Sequence, residues 1–143
     1  MARVKIELPS SFSFSTVIPI RITDINYGGH VGNDTVLSLM HEARMQFLHH
    51  FGFTELNFGG TGMIMSDVAI EFKNELFYGD AITASVLLSE ISKVSFALYY
   101  KLEKEVNGRM LLAATARTGM VCYNYETKKM APFPEAIKQQ FTQ

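Results

Sequence analysis

One segment of this chain, Asp34 to Phe51, spaces its apolar residues with a helical period, and two later stretches, Val68 to Lys73 and Val94 to Glu103, alternate by two. At about 100° per residue, Val36, Leu37, Leu39, Met40, Ala43, Phe47, Leu48 and Phe51 share half of the circumference. Asp34, Thr35, Ser38, His41, Glu42, Met45 and Gln46 fall on the other half. Asn33 or Asp34 suits the N-cap and Gly52 the stop. Arg44 lies inside the apolar arc, so it must snorkel to the edge or meet a carboxylate, with Glu42 as one candidate partner.

The rest of the chain reads as strands around that helix. Phe12 to Ile22 is rich in β-branched and aromatic residues, and Pro19 demotes it to an edge strand or one with a break. After a loop with Gly59, Gly60 and Gly62 come Met63 to Leu76, a turn at Tyr78-Gly79-Asp80, and a strand from Ala81 to Ile91. Val94, Phe96, Leu98, Tyr100 and Leu102 then alternate with polar or smaller residues as a half-buried strand. Asn107-Gly108 predicts a type I′ hairpin turn into Arg109 through Tyr125, and Pro132, Pro134 and Glu135 open a short last helix. One strand, one long helix and a meander of about four strands make an α+β domain spanning residues 1–143, not a βαβ unit.

Composition sets the class of partner. A net charge of −1 gives no electrostatic footprint for nucleic acid or an anionic membrane. The single cysteine, Cys122, excludes an intrachain disulfide and fits a reducing compartment. The first residues, Met1 to Glu7, lack an apolar signal core, and no run nears the ~20 apolar residues of a membrane span. The expected location is the cytoplasm.

The stretch from Thr23 to Asp34 carries the chemistry. Its glycines and asparagines bring little apolar surface and cost backbone entropy to order, so they serve tight turning rather than burial. Asp24, Asn26 and His30 are thereby expected beside the first turn of the helix, where free N–H groups and the macrodipole favour a developing negative charge. Such a site suits reaction at a carbonyl.

Asp24-x-Asn26-x-x-Gly29-His30-Val31-Gly32-Asn33, with Glu42-Ala43-Arg44 in the helix, resembles the hotdog-fold thioesterases, and most closely the 4-hydroxybenzoyl-CoA thioesterase family. That family's pattern is Asp-x-Asp-x-x-Gly-His-Val-Asn-Asn, followed in the helix by Glu-x-Ala-Arg or Glu-Ala-Arg. The similarity continues through Tyr78-Gly79-Asp80 and Val121-Cys122-Tyr123 to Pro132-x-Pro134-Glu135, nearly the whole chain. The resemblance implies a hotdog fold, an antiparallel sheet wrapped around one long central helix. It also implies acyl-CoA thioester hydrolysis without a metal or redox cofactor, in a homodimer or a homotetramer built of two dimers. The sheets of such a dimer join across the interface, and the acyl-CoA sites lie between subunits at the helix start.

Two positions depart from the family pattern. Asn26 stands where the family has an aspartate that acts as base or nucleophile, and Gly32 replaces the first asparagine of the Asn-Asn pair. Asparagine takes no proton at neutral pH, so Asn26 is expected to orient water or the thioester carbonyl. Backbone N–H groups at Gly32 and Asn33 would hold the oxyanion. The base then falls to Asp24, His30, Asp34 or Glu42, from this subunit or its partner.

Each of these residues also has a structural reading. Asp24 suits a turn, His30 a plug for the helix start, Asp34 an N-cap, and Glu42 a partner for Arg44. His41, His49 and His50 read as solvated, Cys122 as a buried small residue, and Met40, Met45, Met63, Met65 and Phe72 as core. Two other functions share the fold. One is a hotdog enoyl-CoA hydratase, through an Asp24–His30 pair spaced one residue too far apart. The other is an acyl-CoA-binding dimer without turnover, suggested by Asn26.

Overall fold

Segments with period-two and period-3.6 patterning separate in space as their buried faces demand. The structure, a computed structural model, describes residues 3–142. A short strand β1 (Phe14–Pro19) leads through a 3-10 turn (Ile22–Asp24) to the long helix α1 (Asn33–His50). Then follow β2 (Gly62–Phe72), β3 (Ala81–Ser89), β4 (Ser95–Val106), β5 (Arg109–Asn124), the two-residue β6 (Lys129–Met130) and a last helix α2 (Glu135–Phe141).

The strands form one antiparallel sheet in the order β1-β3-β4-β5-β2, with β6 beside β5. β1 is an edge strand, as Pro19 requires, with the proline at its last residue. β3, β4 and β5 run as a meander, and Asn107 and Gly108 both take positive φ in the turn between the last two. The expectation of four consecutive meandering strands fails at β2. This strand pairs with β5 from Gly62↔Tyr123 to Phe72↔Ala114 and forms the other edge, so the chain crosses the sheet between β2 and β3. Alternation reports burial, not neighbours, so the sequence pattern could not tell these arrangements apart.

The buried face of α1 is the one its period assigns: Val36, Leu39, Met40, Ala43, Phe47 and Leu48 pack on Ile82, Ala84, Val86, Leu98, Tyr100 and Leu102 of the sheet. The helix starts one residue earlier than expected. Gly32 is the N-cap, with no side-chain cap, so neither Asn33 nor Asp34 fills that role. At the other end the amide of Gly52, at φ +85°, donates to the carbonyl of His49, and the amide of Phe53 to that of Leu48. Those two bonds satisfy carbonyls of the last turn in a Schellman arrangement. Beyond it Phe47, Phe51, Phe53, Phe58, Phe96, Phe133 and Phe141 pack edge-to-face or tilted, with Phe58 and Phe96 stacked, which closes the end of the core remote from the helix start.

Arg44 is only 6% exposed and meets a carboxylate, but that carboxylate is Glu55 rather than Glu42. Its Nε donates to Glu55 at 2.9 Å and its Nη1 to the Tyr100 hydroxyl at 3.2 Å, which in turn contacts the Thr118 hydroxyl. Glu42 points to solvent and accepts from Gln46 at 2.7 Å. Of the residues expected in the core, Met40 and Met63 are buried, whereas Met45, Met65 and Phe72 are exposed.

Candidate active site

The turn before α1 is built by local hydrogen bonds to its own side chains. Asp24 closes the 3-10 turn by accepting from the Arg21 amide at 2.8 Å, and its carboxylate is buried. Asn26 Oδ1 accepts from the Gly28 amide at 2.8 Å and weakly from the His30 amide at 3.4 Å, an Asx-type turn. The Asn26 amide donates to the His30 carbonyl at 2.9 Å, and Ile25 and Val31 pair as a one-step antiparallel bridge. Gly29 takes φ +87° at the tip, a conformation that glycine adopts without strain. With its oxygen occupied by the loop, Asn26 has only its Nδ2 donors to offer a ligand. That amide group lies over Gly32, 3.5 Å from where a Cβ at position 32 would sit.

His30 is oriented by the backbone. Its Nδ1 lies 3.1 Å from the Val31 carbonyl, and a carbonyl only accepts, so Nδ1 carries the proton. Nε2 of the neutral ring is then the free lone pair.

Gly32, buried, accepts from the Thr35 and Val36 amides at 3.1 Å. The N–H groups of Asn33 and Asp34 find no acceptor among the described residues, so two first-turn donors stay open. Asp34 places its carboxylate against Gly32, 2.7 Å from a hypothetical Cβ, in the first turn where the dipole favours a negative charge.

A cleft of about 620 Å³ opens onto this helix start. His30, Val31, Asn33 and Val36 form one wall and the segment 72–77 a second, and Lys104, Leu111, Ala113 and Ala114 complete the lining. A bulge fixes the second wall: Leu102 pairs with Ala114 and Glu103 with Leu112, which leaves Ala113 without a partner on β4. Its carbonyl instead accepts from the Lys73 and Asn74 amides at 2.8 and 3.1 Å, while Asn74 Nδ2 donates to the Leu112 carbonyl at 2.6 Å. The Val31 amide donates to the Leu76 carbonyl at 2.8 Å and ties the two walls together.

Four of the candidate residues divide between two clefts, while Asn26, Gly32 and Asp34 lie in the turn and first helical turn outside both linings. His30 and Asn33 line the large one. Asp24 and Glu42 line a smaller cleft of about 330 Å³ between β1 and the outer face of α1, with Arg21, Ser38 and Gln46. An Asp24–His30 couple of the hydratase kind is therefore not formed.

A family model described as the thioesterase-like superfamily matches residues 20–141, a span that holds the turn, the helix and the whole meander. The chain belongs to the thioesterase-like superfamily. The 1,4-dihydroxy-2-naphthoyl-CoA hydrolase of Microcystis aeruginosa is 29% identical to this thioesterase over 122 residues, 83% of this chain and 86% of that protein. Among solved structures, a 4-hydroxybenzoyl-CoA thioesterase variant complexed with 4-hydroxybenzoyl-CoA superposes with a TM-score of 0.82 at 16% identity. It covers 92% of this chain and 100% of that one. The 1,4-dihydroxy-2-naphthoyl-CoA thioesterase from Synechocystis gives 0.78 at 21%, over 90% and 94% of the two chains. At these identities the superpositions establish the hotdog fold, the sheet wrapped on its long helix.

Two features of the thioesterase lay outside the sequence reading. Glu55 bridges His41 Nε2 at 2.8 Å and Arg44. Desolvation alone would raise its pKa, but hydrogen bonds from His41 and Arg44 outweigh it and hold the carboxyl below the usual range. Lys104 is the other. Leu98, Tyr100 and Leu102 face the core, and the next residue on that face is Lys104, a signal present in the alternation itself. Cys122 is buried, which pushes its thiol up to about 11 and leaves it inert. No helix among the described residues is long and apolar enough to cross a membrane, and no three of their His, Cys, Asp or Glu side chains group to hold a metal ion.

Proposed function

We propose that this thioesterase hydrolyses an acyl-CoA in the large cleft, with His30 as general base and the Asn33 and Asp34 amides as the oxyanion site. The carrying observation is the pair of open first-turn donors together with His30, whose Nε2 is left without a proton and which lines the same cleft as Asn33. Water attacks the thioester carbon as Nε2 takes its proton. The carbonyl oxygen gains charge at the helix start, where the amides and macrodipole are already in place. Collapse breaks the C–S bond, and the imidazolium returns its proton to the departing CoA sulfur, giving a carboxylic acid and CoA-SH. Asn26 Nδ2 is suited to polarise the same carbonyl. No cofactor enters these steps.

In this reading a second copy completes the site. β2 is a free sheet edge eleven residues long, with Ile64, Met65, Val68 and Phe72 exposed along it, and Phe72 also lines the cleft. An antiparallel β2–β2 pairing about a two-fold axis would cover that edge and bring the partner's strand against the cleft mouth. The reducing compartment suggested by Cys122 fits a cytoplasmic enzyme. The test is CoA-thiol release from a panel of acyl-CoAs by wild type, Asn26→Ala and His30→Ala. Turnover reduced in both variants is the expected result, and variants equal to wild type would place the chemistry elsewhere.

A further inference from the structure

Lys104 sits on the inward face of β4 with 8% of its surface exposed, and it lines the large cleft with His30 and Asn33. A buried ammonium needs partners for three N–H donors. Two are supplied: the Glu75 carbonyl at 2.9 Å and Asp80 Oδ2 at 3.1 Å. The Phe77 ring lies 5.0 Å from Nζ. The third N–H has no acceptor among the described residues. Asp80 also accepts from the Phe77 amide at 2.8 Å, so the carboxylate and the wall are held together around the lysine.

We propose that Lys104 determines acyl specificity, its third N–H donating to a hydroxyl oxygen on the acyl group of the bound thioester. Charge selects a hydroxyl over a carboxylate. Asp80 already balances the ammonium, so a second carboxylate would be repelled by the first at close range. The body that carries the hydroxyl is set by the rest of the lining, where Val36, Phe72, Phe77 and Leu111 give an apolar slot with two partly exposed rings. A flat ring with a hydroxyl remote from the thioester satisfies both demands. An acyl group that lacks the oxygen leaves a buried N–H unpaired, which is the costly case.

This rests on the large cleft being the thioesterase site. The test measures kcat/KM for benzoyl-CoA, 4-hydroxybenzoyl-CoA and 4-carboxybenzoyl-CoA with wild type, Lys104→Met and Lys104→Arg, together with each protein's melting temperature. Wild type is expected to favour the hydroxy over the unsubstituted substrate by about 10- to 100-fold, with the carboxy substrate poorer than the hydroxy one. Lys104→Met should bring the hydroxy/benzoyl ratio to near one, and Lys104→Arg, which keeps a donor, should retain part of it. A wild type that hydrolyses all three without preference overturns the role of Lys104 and leaves the thioesterase site standing. The role is equally overturned if Lys104→Met slows all three by one factor, because the lysine would then only anchor the turn at residues 75–80. Absence of CoA release with every substrate would sink the cleft assignment and this proposal together.

Discussion

His30 takes its tautomer from the carbonyl of the next residue, so its basic nitrogen is defined without a carboxylate behind it. Replacing it by glutamine keeps a polar side chain but removes the proton acceptor. The expected loss in kcat is about 10²- to 10⁴-fold, with melting temperature nearly unchanged because the ring is only partly buried. Single-turnover thiol release measures this, and a kcat within about threefold of wild type would exclude His30 as the base. Asn26→Ala frees the Gly28 and His30 amides that its oxygen holds, so it should lower kcat and loosen the turn at once. Faster hydrogen exchange at Gly28 would report the second effect. The placement of His30, Asn33 and Asn26 at the turn and the helix start was legible in the sequence because turn chemistry and a helix start are local. The separation of Asp24 from His30 was not: one side chain folds back on the Arg21 amide and the other forward on Val31, and spacing along the chain carries no record of that.

At the scale of the element, the helix start and its interior make separate demands. Gly32 leaves room for the Asp34 carboxylate, which would lie 2.7 Å from a Cβ there. Gly32→Ala should push that carboxylate off the first turn while leaving Asn26 at ordinary contact distance, with a loss of turnover about tenfold or more and a stability change near 1 kcal/mol. Steady-state kinetics beside urea unfolding separates the two. In the interior, Glu55→Gln strips the buried Arg44 of its carboxylate and should cost about 2–3 kcal/mol, less than for a fully buried pair because Glu55 is partly exposed. Glu55 is depressed in the folded state, so its contribution is complete above its unfolded pKa and is lost as pH falls through the lower folded one. Urea midpoints measured downward from about pH 4.3 should therefore converge for wild type and Glu55→Gln. The apolar arc left Arg44 to snorkel or to meet a carboxylate, and the structure gives it the carboxylate. Which one depends on how the 51–61 loop returns past the helix, a tertiary matter that periodicity does not encode.

At the scale of the molecule, the two sheet edges differ in kind. β1 is short and ends at Pro19, whereas β2 is eleven residues long and open, and the open edge runs beside the cleft. The sequence ranked these edges only halfway. Proline marked β1, but β2 looked like one more meander strand because its neighbour was set by the crossover. If pairing of two β2 edges completes the site, then charge placed along β2 should end both association and turnover. Ile64→Lys combined with Val68→Lys puts two ammonium groups on positions now exposed and apolar, and a two-fold pairing of this edge would bring four like charges along one seam. Light scattering should show wild type at a multiple of the 16.1 kDa chain and the double variant at a single chain. Its far-UV circular dichroism should stay that of the folded protein, since neither side chain is buried in the core. Thiol release should fall in step with the fraction of dimer, and raising protein concentration should restore part of it by mass action. A folded monomer that turns over acyl-CoA at the wild-type rate would mean that the cleft is complete in one chain and that the open edge serves another purpose.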